Sequence, residues 1–219
     1  MMLPSLRYPR PSHLFTVTLR IIMVSSIGRP RNANLDTALL RAAEELILER
    51  GFGAVSVEAI ASRADTTRPA FYRRFDGIPR LVLALLLDRF AIDLDKCIDS
   101  GNLPDDLEAI QRDQLELFSS PLVKRSLAGF LGSLHEDPDL RRIFVEEFLA
   151  PRRYGAGMII LRAAGRGEIP QDPDLEWVLD LLTGPLLMRA VMPGLTGFDE
   201  ALVSQTVASA LGALSYRAP

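Results

Sequence analysis

From Leu35 onward, apolar residues recur at helical spacing almost to the end of the chain. Leu35, Leu39, Ala42 and Leu46 step by four, three and four, which predicts a helix over 35–50 with one buried face. Asn34 or Asp36 is available as its N-cap, and Gly51 follows as the left-handed residue after its end. Ser56 is placed to cap a short helix over 56–64, whose inner face is Val57, Ile60, Ala61 and Ala64. A second short helix begins near Thr67 and turns Phe71 and Phe75 inward. A longer apolar helix follows over 79–90. Further helices are predicted near 105–118, 121–134, 138–148, 151–164, 174–191 and 199–214. Their breaks fall at Asn102-Leu103-Pro104, Asp137-Pro138, Gly165-Arg166-Gly167 and Pro193-Gly194. No segment keeps a period-two alternation rich in β-branched residues, so the fold class is all-α.

Residues 1–24 break this pattern. Pro4, Pro9 and Pro11 oppose a helix, and Arg20 interrupts the apolar run Leu14–Val24, which spoils it as a signal-peptide core. The segment reads as a poorly ordered extension, with Met23 as an alternative start. No stretch approaches the roughly 20 uninterrupted apolar residues of a membrane span.

Charge adds an asymmetry that the net value of −3 hides. Residues 25–90 hold ten arginines against eight acids, whereas 91–219 hold twelve basic residues against twenty acids. A mildly basic N-terminal third on an acidic body suggests a polyanion-binding end joined to something else. One cysteine and two histidines exclude an intrachain disulfide and argue against a zinc or haem site. The protein is therefore expected in a reducing cytoplasm, with no metal and no cofactor.

The chemistry concentrates in Ser56–Phe75, SVEAIASRADTTRPAFYRRF. Two short helices, a turn of about three residues and a hydroxyl N-cap have the layout of a DNA-reading helix-turn-helix. Thr67 opens the second helix, where free backbone N–H groups favour a phosphate oxygen. Arg68, Pro69, Tyr72, Arg73 and Arg74 take its exposed positions. Arginine presents a planar fork to guanine or phosphate, and five arginines against two acids lie between Arg63 and Arg80. A solvated basic helix on an ordinary α-domain is the competing reading.

Residues 35–90 resemble the DNA-binding domain of the tetracycline-repressor (TetR) family of bacterial regulators. The resemblance rests on ALLRAAEELILERGFGAVSVEAIASRADTTRPAFYRRF and the apolar helix from Pro79. It implies that Gly51-Phe52 brace the reading head, that Thr67 caps the recognition helix and that Tyr72 holds a phosphate. Carried over by position, Ser56, Thr67, Arg68, Tyr72, Arg73 and Arg74 are expected at double-stranded DNA. Residues 151–191 are similar to the ligand-binding and dimerisation region of one subfamily, including its Arg-Gly-Glu turn and a Gly-Pro inside a helix. The implied architecture is an extension over 1–24, a head over 25–80 and a helical body over 81–219. The implied function is a sequence-specific regulator, a repressor acting as a homodimer on a palindromic operator and released by a small-molecule effector.

The chain also departs from the family pattern. Asp65 and Thr66 replace a glycine and an aliphatic residue in the turn; Asp tolerates the left-handed region. Pro69 is acceptable in a first helical turn. Ile78 stands where a phosphate-gripping lysine is common, and Arg80 is the available substitute.

Other candidates are weaker. Arg29 and Arg31 bracket a Gly-Pro arm that fits an A·T-rich minor groove or serves as a charged linker. His135 reads as a helix-end residue. Cys97, beside Asp93, Asp95 and Asp99, lies in an acidic setting that raises a thiol pKa, and those acids read as a solvated helix end rather than a cation site. Phe118, Phe130, Phe148, Met158, Trp177 and Met188 are candidate effector-pocket residues among what is otherwise core. Leu182 and Leu186, with Val203, Val207, Ala210 and Leu214, form stripes on the last two helices that either make a twofold interface or close a core. The rival function is an all-α small-molecule-binding protein or enzyme without a DNA role.

Overall fold

A computed structural model describes residues 33–92, 98–192, 194–195 and 197–217. Arg29, Arg31, Cys97, Asp93 and Asp95 lie outside the described residues. Within them the structure is helical, with no strand. Helix α1 spans Ala33–Arg50, so Asn34 and Asp36 fall inside its first turn rather than capping it. Gly51 takes φ 81° as expected but ψ 161°, an extended rather than left-handed pairing, and leads into a 3-10 turn at Phe52–Ala54. Helices α2 (Val57–Arg63), α3 (Arg68–Tyr72) and α4 (Ile78–Arg89) complete the head.

The body contains α5 (Leu103–Ser119), α6 (Pro121–Glu136) and α7 (Pro138–Ile143), then α8 (Ala150–Arg166), α9 (Leu175–Val191) and α10 (Glu200–Ala213). The expected break between 148 and 151 is absent. Instead a π-helical turn, Phe144–Leu149, carries α7 directly into α8, and Pro151, which has no N–H to give to the helix ladder, follows that turn at once.

Two cores hold the chain. The first joins α1–α4 of the head to α6, α7 and the π turn, through Leu39, Phe71, Leu81, Phe130 and Phe148 among others. Packing thus runs across residue 80. One close seam is Gly129 of α6, where a Cβ would stand 2.4 Å from Cδ1 of Phe52. The second core joins α5, α8, α9 and α10 through Leu107, Ile160, Leu182, Val203 and Val207. Here Pro185 removes a backbone donor from α9. Nearby, buried Gln111 donates to the Leu182 carbonyl at 2.7 Å and to Thr206 at 2.8 Å. The Arg-Gly-Glu turn is a structural tie. Gly167 closes α8 at φ 81°, Glu168 accepts the Leu103 N–H at 2.7 Å, and Arg166 pairs with Glu168.

These cores correct two expectations. Leu182, Leu186, Val203, Val207, Ala210 and Leu214 are all buried within one protomer. Their stripes are covered by the chain's own helices, so they are not a surface for a second copy. The six candidate pocket residues do not converge either. Phe130 and Phe148 are inside the first core and Phe118 packs against it. Met158 is half-buried. Trp177 and Met188 stand on the outside of α9, 56% and 54% exposed.

Candidate nucleic-acid interface

The reading unit is assembled by two hydroxyl caps. Ser56 Oγ accepts the Ala59 N–H at 3.2 Å and fixes the start of α2; Thr67 Oγ1 accepts the Ala70 N–H at 3.3 Å and fixes the start of α3. Between them Asp65 adopts φ 49°, the left-handed conformation expected of it, and the Thr66 N–H closes onto the Ala61 carbonyl at 2.8 Å. Phe71 and Phe75 anchor α3, buried as expected, with their rings 6.0 Å apart. Such short helices persist because apolar anchors and caps replace the cooperativity they lack.

The anchoring decides which side chains face out. Tyr72 is 51% exposed, its ring edge-on to Phe71 at 5.4 Å. Arg73, the C-cap of α3, is exposed and makes no ion pair among the described residues. Arg68 is exposed and meets Glu58 at 2.5 Å, a surface pair of small net worth that a phosphate or base can displace. Ser56, Thr67, Arg68, Tyr72 and Arg73 are therefore all exposed on the head.

Three other basic residues are committed elsewhere. Arg74, expected at DNA, is only 17% exposed; it pairs with Asp36 of α1 at 2.5 Å and also reaches the Ala70 carbonyl. It follows the buried ring of Phe71 by three positions, which turns it toward α1. Arg80 pairs with Asp137, the N-cap of α7, at 3.0 Å, and so ties α4 to the body. Arg63 clamps α2 to α1 through Glu45 and Glu49 at 3.1 and 2.9 Å. Its guanidinium holds both carboxyls below the usual range and is itself raised by them. The phosphate expectation at Thr67 also narrows. Pro69 has no N–H and that of Ala70 is spent on Thr67, so α3 offers little free backbone to a phosphate.

Among the described residues no cluster of His, Cys, Asp and Glu is placed to hold a metal ion, and no helix is long and apolar enough to cross a membrane. A capped two-helix unit with a cationic, aromatic reading face is the form of a helix-turn-helix DNA-binding protein. Comparison with known proteins gives the family. Residues 39–85 match "Bacterial regulatory proteins, tetR family", and residues 97–210 match "Tetracyclin repressor-like, C-terminal domain". The chain belongs to the TetR family of DNA-binding transcriptional regulators.

It is 29% identical to the HTH-type transcriptional regulator YdeS of Bacillus subtilis, over 78% of this chain and 86% of that protein. It is 24% identical to the DNA-binding transcriptional repressor TetR of Mycobacteroides abscessus, over 81% and 92%. Among solved structures, a putative transcriptional regulator from Pseudomonas aeruginosa shares the fold with a TM-score of 0.62 at 20% identity, over 85% and 91% of the two chains.

Proposed function

We propose that this chain is a repressor that binds a palindromic operator as a homodimer in the cytoplasm and leaves it when a small-molecule effector occupies the body. The observation that carries the reading is the shared exposure of Arg68, Tyr72 and Arg73 on a helix pinned by Thr67 and Phe71. The Mycobacteroides abscessus relative, itself a DNA-binding repressor, supports the direction of control. For the twofold contact we assign the outer faces of α9 and α10. Trp177, Gly184 and Met188 are exposed on the one, and Ala201, Ser204, Ala208 and Gly212 on the other. Small residues on α10 allow a close approach of helices.

Within the reading head, Thr67 and Tyr72 position the protein on phosphates, while Arg68 and Arg73 meet base edges. A salt titration of variants on operator and scrambled duplexes tests this. Tyr72→Phe weakens both duplexes alike and leaves the salt slope almost unchanged. Arg73→Ala costs about 1–3 kcal/mol on the operator alone and relaxes preference at one base pair per half-site. Equal loss on both duplexes would make Arg73 a phosphate contact.

A further inference from the structure

Arg152 is a half-buried cation with no counter-charge among the described residues. It lies in the first turn of α8, its guanidinium 3.6 Å from the centre of the Phe148 ring. Nη1 donates to the Phe148 carbonyl at 2.7 Å and Nη2 donates to the Phe90 carbonyl. Both acceptors are neutral. Its neighbour Arg153 shows the ordinary solution, pairing with Glu176 at 2.5 Å and Asp180 at 2.8 Å. For Arg152, burial pushes the pKa down to about 10 with nothing opposing it. Keeping a cation out of water without an anion is costly.

The position of this charge matters as much as its want of a counter-charge among the described residues. Phe90 is the C-cap of α4, the helix that leaves the reading head. Arg152 therefore holds the negative end of that helix against α8 and the π turn. The turn itself carries Phe144 and Phe148, stacked at 5.3 Å, with Phe130 edge-on to Phe144 at 5.6 Å. Isolated π turns inside helical runs occur frequently at functional sites. A guanidinium lying on the rim of this buried aromatic cluster matches a ligand with an anionic head and an apolar body, which enters by displacing the guanidinium from the Phe148 ring.

We propose that Arg152 is the receptor for a carboxylate group of the effector, and that the carboxylate draws the guanidinium away from the Phe90 carbonyl. A carboxylate adds an opposite charge that the Phe90 carbonyl lacks, and the planar fork takes it in two parallel bonds. Occupancy then loosens α4 at its C-terminal end, while Arg80–Asp137 still holds its N-terminal end. The ligand favours the loosened state because only there is its carboxylate fully paired. This inference rests on the reading that an effector in the body controls DNA affinity.

The test uses the full chain as wild type, Arg152→Gln and Arg152→Lys. Benzoate, 4-phenylbutyrate, octanoate and decanoate are each compared with the corresponding primary amide. Thermal unfolding reads binding, and fluorescence anisotropy on operator DNA reads release. Carboxylates raise the wild-type melting temperature and their amides do not. Arg152→Gln weakens the carboxylate by about tenfold or more in Kd, corresponding to about 1.4 kcal/mol, and Arg152→Lys recovers part of the loss. Equal stabilisation by amides, unchanged binding by Arg152→Gln, or no carboxylate binding at all would overturn the receptor. Carboxylate binding that leaves operator affinity intact would overturn the release step. A wild type that binds carboxylates but has no preference for operator DNA would keep the receptor and remove the repressor reading instead.

Discussion

The two cores of this molecule are built in different ways. The first gathers short elements whose faces are fixed within a few residues: Thr67 caps α3, Asp65 turns the chain, and Phe71 and Phe75 go in. The second gathers longer helices, of which α9 and α10 are mostly apolar or small, so periodicity marks a stripe without saying what covers it. On α9, Leu182 and Leu186 go inside while Trp177 and Met188 stay out. Local chemistry decides orientation where elements are short and capped. Distant partners decide it where they are long.

The sharpest way to break this contrast is to place the same charge on adjacent residues of α10. Val207 is buried and Ala208 is exposed. Val207→Glu leaves an unpaired charge in the second core and costs the protomer about 3–5 kcal/mol. Ala208→Glu leaves protomer stability within about 0.5 kcal/mol but separates the proposed dimer. Thermal unfolding with sedimentation distinguishes them. A folded, monomeric Val207→Glu variant would move the interface back to the buried stripe.

The seam between head and body comes next. Gly129→Leu forces the Phe52 ring aside and costs about 1–3 kcal/mol. Phe52→Ala in the same chain recovers part of it, a coupling that a double-mutant cycle measures. Gly132, on the same helix, has nothing within 4 Å of an added Cβ, so Gly132→Ala gains up to about 1 kcal/mol from helix propensity. Loss at both positions would mean that the seam is not specific.

A smaller effect falls on the reading helix itself. Thr67→Ala removes the cap on Ala70 and costs about 1 kcal/mol, while Thr67→Ser keeps it. Denaturant unfolding should rank them in that order, and an equal loss for Ser would point to packing of the Thr methyl rather than to the cap.

The smallest effect concerns acid. The Leu140 N–H, with Arg80 beside it, holds the Asp137 carboxyl below its ordinary range. A carboxyl depressed in the folded state adds stability above its unfolded pKa. That stability disappears as the pH falls through the folded value. Asp137→Asn is therefore slightly less stable at neutral pH and loses less on acidification, an effect muted by solvent around the exposed carboxyl. Parallel acid-unfolding curves for the two proteins would remove Asp137 from the seam.

By itself the sequence determined the all-α class, nearly all the helix positions and the reading unit. Those rest on periodicity, caps and turn residues that act between neighbours, so Ser56, Asp65, Thr67, Phe71 and Phe75 were all legible. It could not tell which arginines remain available. Arg73 and Arg74 are adjacent and chemically identical, yet only Arg74 finds Asp36, 38 residues away in the chain. Arg80 is taken by Asp137, 57 residues on, and Arg152 by the end of α4, 62 residues back. An apolar stripe announces that something covers it without naming what does. A charge chooses its partner by distance in space, and only the packed helices set that distance.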